Sequence, residues 1–197
     1  MRRVPKPGEL PPRMPRLHDA PHRALCRLIL RLCGWKLVGE LPDLPRLVLI
    51  AAPHSSWWDG VWGLLMKVAI GADIRFMAKQ ELFRPPLAGL LRRLGGIAVD
   101  RGATAGVVGQ MLVEFERQPS LWLGIAPEGT RKPVQRWKSG FWRIAHGAGV
   151  PVLPVAFDYP SKSIVIGTPL PTSADLDADL ARLRAFYAPF RGKHRKV

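Results

Sequence analysis

Leu47–Asp59 reads LVLIAAPHSSWWD: an apolar run, a proline, a polar connection and the start of another apolar stretch. A short apolar run ended by proline reads as a strand buried on both faces, and Trp58–Ile70 beyond it has helical character. The same alternation recurs along the chain. Strands are expected at Lys36–Val38, Arg46–Ala51, Ile74–Ala78, Gly96–Val99, Leu121–Ile125, Pro151–Phe157 and Ser163–Ile166. Helices are expected at Trp58–Ile70, Leu87–Leu94, Ala103–Arg117, Phe141–Ala148 and Asp175–Tyr187. Strands alternating with helices predict an α/β fold, a single domain with a mixed, partly parallel sheet flanked by helices.

In such a sheet ligands sit beyond the carboxyl ends of the strands, which is where His54 follows Pro53. Asp59 lies five residues on, where the next helix begins. That spacing can bring its carboxylate onto one ring nitrogen, fixing the tautomer and making the other nitrogen the better base. His54 and Asp59 are therefore the candidate catalytic residues, the histidine–aspartate half of a triad without its serine. Ser55 and Ser56 adjoin the histidine, but no G-x-S-x-G elbow occurs, which argues against a covalent serine. A base without its own nucleophile implies a substrate hydroxyl. The plainer alternative makes Asp59 a helix cap beside an incidental histidine.

Three further strand ends carry candidate residues. Leu121–Arg131, LWLGIAPEGTR, ends in a polar turn. Glu128, Gly129, Thr130 and Arg131 offer backbone N–H groups, a hydroxyl and a guanidinium fork, the parts of a phosphate seat. Leu94–Gly102, LGGIAVDRG, delivers Arg101 to the same edge, and Lys79 follows another strand there.

The 197 residues suit one domain, and 47 % hydrophobic with 23 % charged residues is the composition of a folded protein. The net charge is +15, and Met1–Lys36 and Arg191–Val197 supply most of the excess. Residues 1–21 are proline-rich and read as a disordered basic arm, and 22–197 as the folded domain. Within it, 22–34 reads as an amphipathic membrane-interface helix, 35–190 as the α/β core and 191–197 as a basic tail. In the helix Arg23, Arg27 and Arg31 form one stripe, which fits lipid phosphates or, equally, a helix packed on the core with its arginines in water. Cys26 and Cys33 lie about 10 Å apart on a helix, too far for a disulfide. No zinc spacing or apolar span long enough to cross a bilayer is present. The reading is a chain at the cytoplasmic face of the cell membrane, peripheral or monotopic, with an anionic membrane surface as partner.

In order, His54-Ser-Ser-Trp-Trp-Asp59, Gly96-Ile-Ala-Val-Asp-Arg101, Pro127-Glu-Gly-Thr-Arg131 and Val150-Pro-Val-Leu-Pro-Val-Ala156 resemble the motifs of the glycerolipid acyltransferase family, the 1-acylglycerol-3-phosphate acyltransferases. The resemblance implies transfer of a fatty-acyl group from acyl-CoA or acyl-carrier protein to the hydroxyl of lysophosphatidate or a similar lysolipid, with no metal or cofactor. It implies His54 as general base and Asp59 as its orienting partner. Arg101 and the turn Glu128–Arg131 would hold the acceptor phosphate, and Val150–Ala156 would help to line the acyl path. Trp57 and Trp58 inside the first motif are bulky and would narrow a channel, which leaves room for a lyso-aminolipid such as lyso-ornithine lipid as acceptor.

A different class, a basic nucleic-acid-binding domain, accounts for the charge and the aromatic content. It is disfavoured because the charge sits at the ends and no helix-turn-helix, RNA-recognition or zinc signature occurs. An esterase or thioesterase using the same histidine with water differs only in its products.

Overall fold

Arg46–Ala52 forms β2, the middle strand of a seven-stranded sheet, and its side chains alternate between two buried faces. Leu47 and Leu49 join one apolar core, while Val48, Ile50 and Ala52 join the other. This period of two is why the run lacks the polar residues of a half-exposed strand. The computed structural model describes residues 4–5, 9–17, 22–100, 102–129, 134 and 136–194.

Among these, the elements are α1 (Arg23–Cys33), β1 (Lys36–Val38), β2, α2 (Trp57–Ile70), β3 (Ile74–Lys79), α3 (Leu87–Arg93), β4 (Gly96–Val99), α4 (Gly106–Arg117), β5 (Leu121–Ile125), α5 (Gly140–Gly147), β6 (Val152–Asp158), β7 (Ser163–Ile166) and α6 (Leu176–Tyr187). The largest departure from the expected boundaries is at α4, which starts at Gly106 because residues 102–105 are turn. The sheet runs β1-β7-β6-β2-β5-β3-β4. All neighbours are parallel except the β6–β7 hairpin. The carboxyl ends of β6, β2, β5, β3 and β4 therefore open on one edge.

Helices α1 and α2 cover one face, and α4, α5 and α6 the other. Trp122 fills the first core at full burial, and its indole N–H finds the Leu44 carbonyl at 2.8 Å, so the large ring costs no unpaired donor. On the second face the buried Tyr187 hydroxyl donates to the Ile50 carbonyl (2.7 Å) and accepts from the Val155 N–H (3.0 Å). That bridge ties β2 to β6 close to the ends that carry the site.

One expectation for the N-terminal region is corrected. Within the stretch read as a disordered arm, Leu10 and Met14 are buried in the α1–α2 core, and Arg16 bridges Ala72 in antiparallel fashion. Proline excludes a helix there, but an extended segment can still dock two apolar side chains. Of the arginine stripe of α1, Arg23 and Arg27 turn toward the protein while Arg31 stays exposed. Arg27 donates to the Ala69 carbonyl at 3.0 Å and to that of Pro5, and Arg23 donates to that of Leu17 at 3.3 Å. What α1 exposes is a leucine stripe, Leu25, Leu28 and Leu32. No helix among the described residues is long and apolar enough to cross a membrane.

Candidate active site

His54 follows β2, and the start of α2 holds it in place. Ser56 is the N-cap of α2 and Asp59 its third residue, forming a capping box. The Asp59 Oδ2 accepts from the N–H groups of Ser55 and Ser56, each at 2.8 Å. The same oxygen lies 3.4 Å from His54 Nδ1. Capping and histidine orientation are thus one arrangement: the helix start carries the carboxylate back over its own connection, and the histidine sits at the end of that connection. The five-residue spacing is what this local geometry requires. Asp59 is 1 % exposed whereas the His54 side chain is 26 % exposed, so the carboxylate is shielded and the imidazole is reachable.

Burial pushes the Asp59 carboxyl up, but hydrogen bonds from His54, Tyr159 and Ser56 outweigh it and hold the group below the usual carboxylate range. Tyr159 was not among the sequence candidates. It lies just past β6, and its hydroxyl donates to Asp59 Oδ1 at 2.6 Å, leaving Oδ2 for the histidine. Burial, then the neighbouring Asp59, keeps this phenol protonated far above its ordinary range, so it serves as a fixed donor. Its ring meets Trp35 edge-on at 5.1 Å, and Trp35 stacks on Trp62 at 5.0 Å. A tyrosine directly after a strand end was the available signal, but its use depends on knowing that β6 lies beside β2.

Glu128 reaches back to the His54 connection. It is 2 % exposed, and its Oε1 accepts the His54 backbone N–H at 2.8 Å. From this position Glu128 braces the loop after β5 against the His54 connection. Gly129 forms the expected turn, its N–H bonded to the Ala126 carbonyl at 3.0 Å and its φ at +64°, where a side chain is strained. Lys138, another residue without a sequence-based role, lays its side chain over this glycine, so a Cβ there would meet Lys138 Cδ at 3.0 Å. Lys79 is exposed at the carboxyl end of β3, on the His54 edge. Arg101, Thr130 and Arg131 lie outside the described residues.

A cavity of about 380 Å³ begins at His54 and Asp59 and runs between α2 and the sheet. Along α2 it is bordered by Gly60, Gly63, Leu64, Lys67 and Ile70, and across from them by apolar strand residues including Val155 of the fourth motif. Gly60 and Gly63 leave the helix surface low next to the histidine, and a Cβ at Gly63 would already reach Phe157 at 3.4 Å. Trp57 and Trp58 do not border this cavity. They are 76 % and 47 % exposed on the outer side of α2, which removes the reason to infer a narrowed channel from them. At the far end the buried Lys67 ammonium is bonded to the carbonyls of Leu94 (3.0 Å) and Ile74, which bolts α2 to the starts of β3 and β4. Burial lowers its pKa to about 8, with Asp73 opposing the shift and Arg75 adding to it. Among the described residues no group of three or more His, Cys, Asp or Glu side chains could hold a metal ion.

This arrangement offers a reachable imidazole, a shielded carboxylate behind it and an apolar cavity beginning at both. A family model described as Acyltransferase matches residues 40–158, which include His54, Asp59, Glu128 and the β6 strand. No curated relative matches the sequence. Among solved structures the chain is similar to the 1-acyl-sn-glycerophosphate (LPA) acyltransferase PlsC from Thermotoga maritima. That similarity has a TM-score of 0.61 at 19 % identity, over 83 % of this chain and 74 % of that one. At this identity the likeness bears on the fold.

Proposed function

This chain belongs to the acyltransferase family, and from that premise we propose that it transfers a fatty-acyl group from an acyl thioester to the free hydroxyl of a lysophosphatidate-like lysolipid. The observation that carries the reading is the cavity of about 380 Å³ starting at the His54–Asp59 pair. An apolar tunnel ending at a general base suits a thioester whose chain lies inside and whose carbonyl stops beside the imidazole.

In this mechanism His54 Nε2 takes the proton from the acceptor hydroxyl as its oxygen attacks the thioester carbonyl. The tetrahedral intermediate collapses to the ester and releases the thiolate, which recovers the proton from His54. Asp59 holds the imidazole through Nδ1 and balances the imidazolium charge. The donor is acyl-CoA or acyl-carrier protein. The acceptor phosphate is met by cations on the strand-end edge, where Lys138 joins the sequence candidates Lys79, Arg101 and Arg131.

Contact with an anionic membrane, at the cytoplasmic face, belongs to the same proposal. Leu25, Leu28 and Leu32 form an exposed apolar stripe on α1, flanked by the exposed Arg31 and a strongly basic N-terminal region. A leucine stripe beside cations fits the acyl and phosphate levels of a lipid surface. The decisive experiment incubates purified protein with labelled acyl-CoA and lysophosphatidate in vesicles. Product should be phosphatidate from the wild type and absent from His54→Ala, with the variant's fold and vesicle binding intact. Turnover retained in His54→Ala refutes the mechanism, and free fatty acid as the only product converts the reading to a thioesterase.

A further inference from the structure

The turn of α2 that carries the catalytic carboxylate also carries an exposed apolar patch. Trp57, Trp58 and Val61 are exposed there, and Gly60, between them, borders the cavity that begins at His54. Residues three and four apart on a helix are neighbours, so the three side chains form one surface. Helix α1 continues it. Arg27 donates to the Ala69 carbonyl and Arg23 lies against Gly71, which sets the start of α1 beside the end of α2. At the other end Trp35, just past α1, stacks on Trp62 at 5.0 Å, and Trp62 stacks on Trp58 at 5.8 Å. The two helices are therefore antiparallel, and the stripe Leu25, Leu28 and Leu32 of α1 leads toward the tryptophans.

Exposed apolar side chains scattered singly need no explanation, whereas a contiguous run of them marks a contact surface. Charge decides what it contacts. Helix α1 contains no acidic residue, and Asp59, the one acid of α2, is buried. Three exposed cations stand at the catalytic end of the patch: Arg31 in the last turn of α1, Lys162 and Lys193. Lys162 donates to the Cys33 carbonyl at 3.0 Å, and the Lys193 ammonium sits 5.3 Å from the centroid of the Trp58 ring. Lys193 is held there through the next residue, His194, whose N–H donates to Ser55 Oγ at 3.3 Å. Indole rings are favoured at the headgroup level of a bilayer, where an apolar body meets the chains and the N–H meets water. Cations beside them meet lipid phosphates. A second copy of this chain would bring the same cations to the same patch, which like-charge repulsion opposes.

We propose that the first turn of α2, with Trp57 and Trp58 as its anchors, docks on an anionic bilayer and sets the mouth of the catalytic cavity at the depth of the lipid phosphates. This extends the membrane contact of α1 to the catalytic helix. It rests on the acyl-transfer reading only for its purpose, which is to meet the hydroxyl of an acceptor that stays in the bilayer. The tryptophans take no part in the proton transfer.

The test uses the full chain as wild type, W57Q, W57Q/W58Q and W57F/W58F, with vesicles of phosphatidylglycerol and phosphatidylcholine. Circular dichroism checks folding, and W57Q, which alters a side chain 76 % exposed, keeps the test open if the double variant unfolds. In vesicle sedimentation W57Q/W58Q should partition about tenfold more weakly than wild type and W57Q about threefold, since roughly 60 Å² less apolar contact already gives a factor of about ten. Lipids brominated near the headgroup end of their chains should quench the wild-type tryptophan fluorescence. W57F/W58F keeps aromatic packing but loses the two indoles, and should lose most of that quenching. Partition of the folded variants within about twofold of wild type, or equal quenching in W57F/W58F, overturns the proposal. So does a wild-type dimer that W57Q dissociates while no form binds vesicles, which assigns the patch to a second copy. Tryptophan-dependent vesicle binding without any phosphatidate product leaves the docking standing and removes the acyl-transfer reading. Phosphatidate formed by a protein whose partition ignores both substitutions does the reverse.

Discussion

Tyr159→Phe removes one hydroxyl and leaves the ring in place against Trp35. The lost interaction is a 2.6 Å hydrogen bond to a carboxylate that is 1 % exposed, so water cannot replace it without opening the core. Hydrogen bonds to charged groups contribute about 1.5–3 kcal/mol, and here the acceptor oxygen is left bare in an aromatic pocket. If that loss falls on the orientation of Asp59, and through it on His54, the rate should drop between about tenfold and a hundredfold, at about 1.4 kcal/mol per factor of ten. Because Tyr159 does not line the cavity, both KM values should stay within about threefold. The same substitution has a stability signature. Asp59 is held below its ordinary value of 3.8, so it adds stability above that pH and loses it as the pH falls through the lower folded value. Without the tyrosine donor the folded value rises, and acid unfolding moves to higher pH. Steady-state kinetics combined with acid denaturation followed by circular dichroism tests both consequences. A Tyr159→Phe protein with kcat within twofold of wild type and an unmoved acid transition would refute the positioning role.

Two other outcomes follow from the cavity. Asp59 to Ile70 is eleven residues, or about 16 Å of helix, room for an extended chain of about thirteen carbon–carbon bonds at roughly 1.25 Å each. Gly63→Leu would fill the tunnel about 6 Å from Asp59. A thioester series of increasing length should then lose its long members while short ones continue to turn over, and an unchanged length profile would place the acyl chain elsewhere. Lys67 gives a pH effect of the same sense as Asp59, but in the alkaline range. Its pKa is about 8 folded against 10.5 ordinarily, so between these values the unfolded chain binds more protons and stability rises with pH, by on the order of 3 kcal/mol. Lys67→Met should flatten that rise in urea titrations at pH 8 and 10, and an identical slope in wild type and variant would show that the ammonium is not buried at a cost.

The alternation of strands and helices, and the reach from His54 to Asp59, were readable from the chain because both are short-range. Side-chain period fixes which runs are buried, and a carboxylate in the first turn of a helix returns to its own cap whatever the rest of the protein does. The arginine stripe of α1 was equally visible, but its direction was not, since periodicity defines a face without naming its neighbour. Leu10 and Met14 show the same limit: a proline-rich stretch lacks helix, yet two apolar side chains suffice to dock it. Tertiary structure alone decided the remainder of the site. Glu128, Tyr159 and His194 lie 74, 100 and 139 residues from their partners in the His54–Asp59 motif. They arrive there because β5 and β6 flank β2 in register, and nothing local in any of the three segments records which strand will be its neighbour.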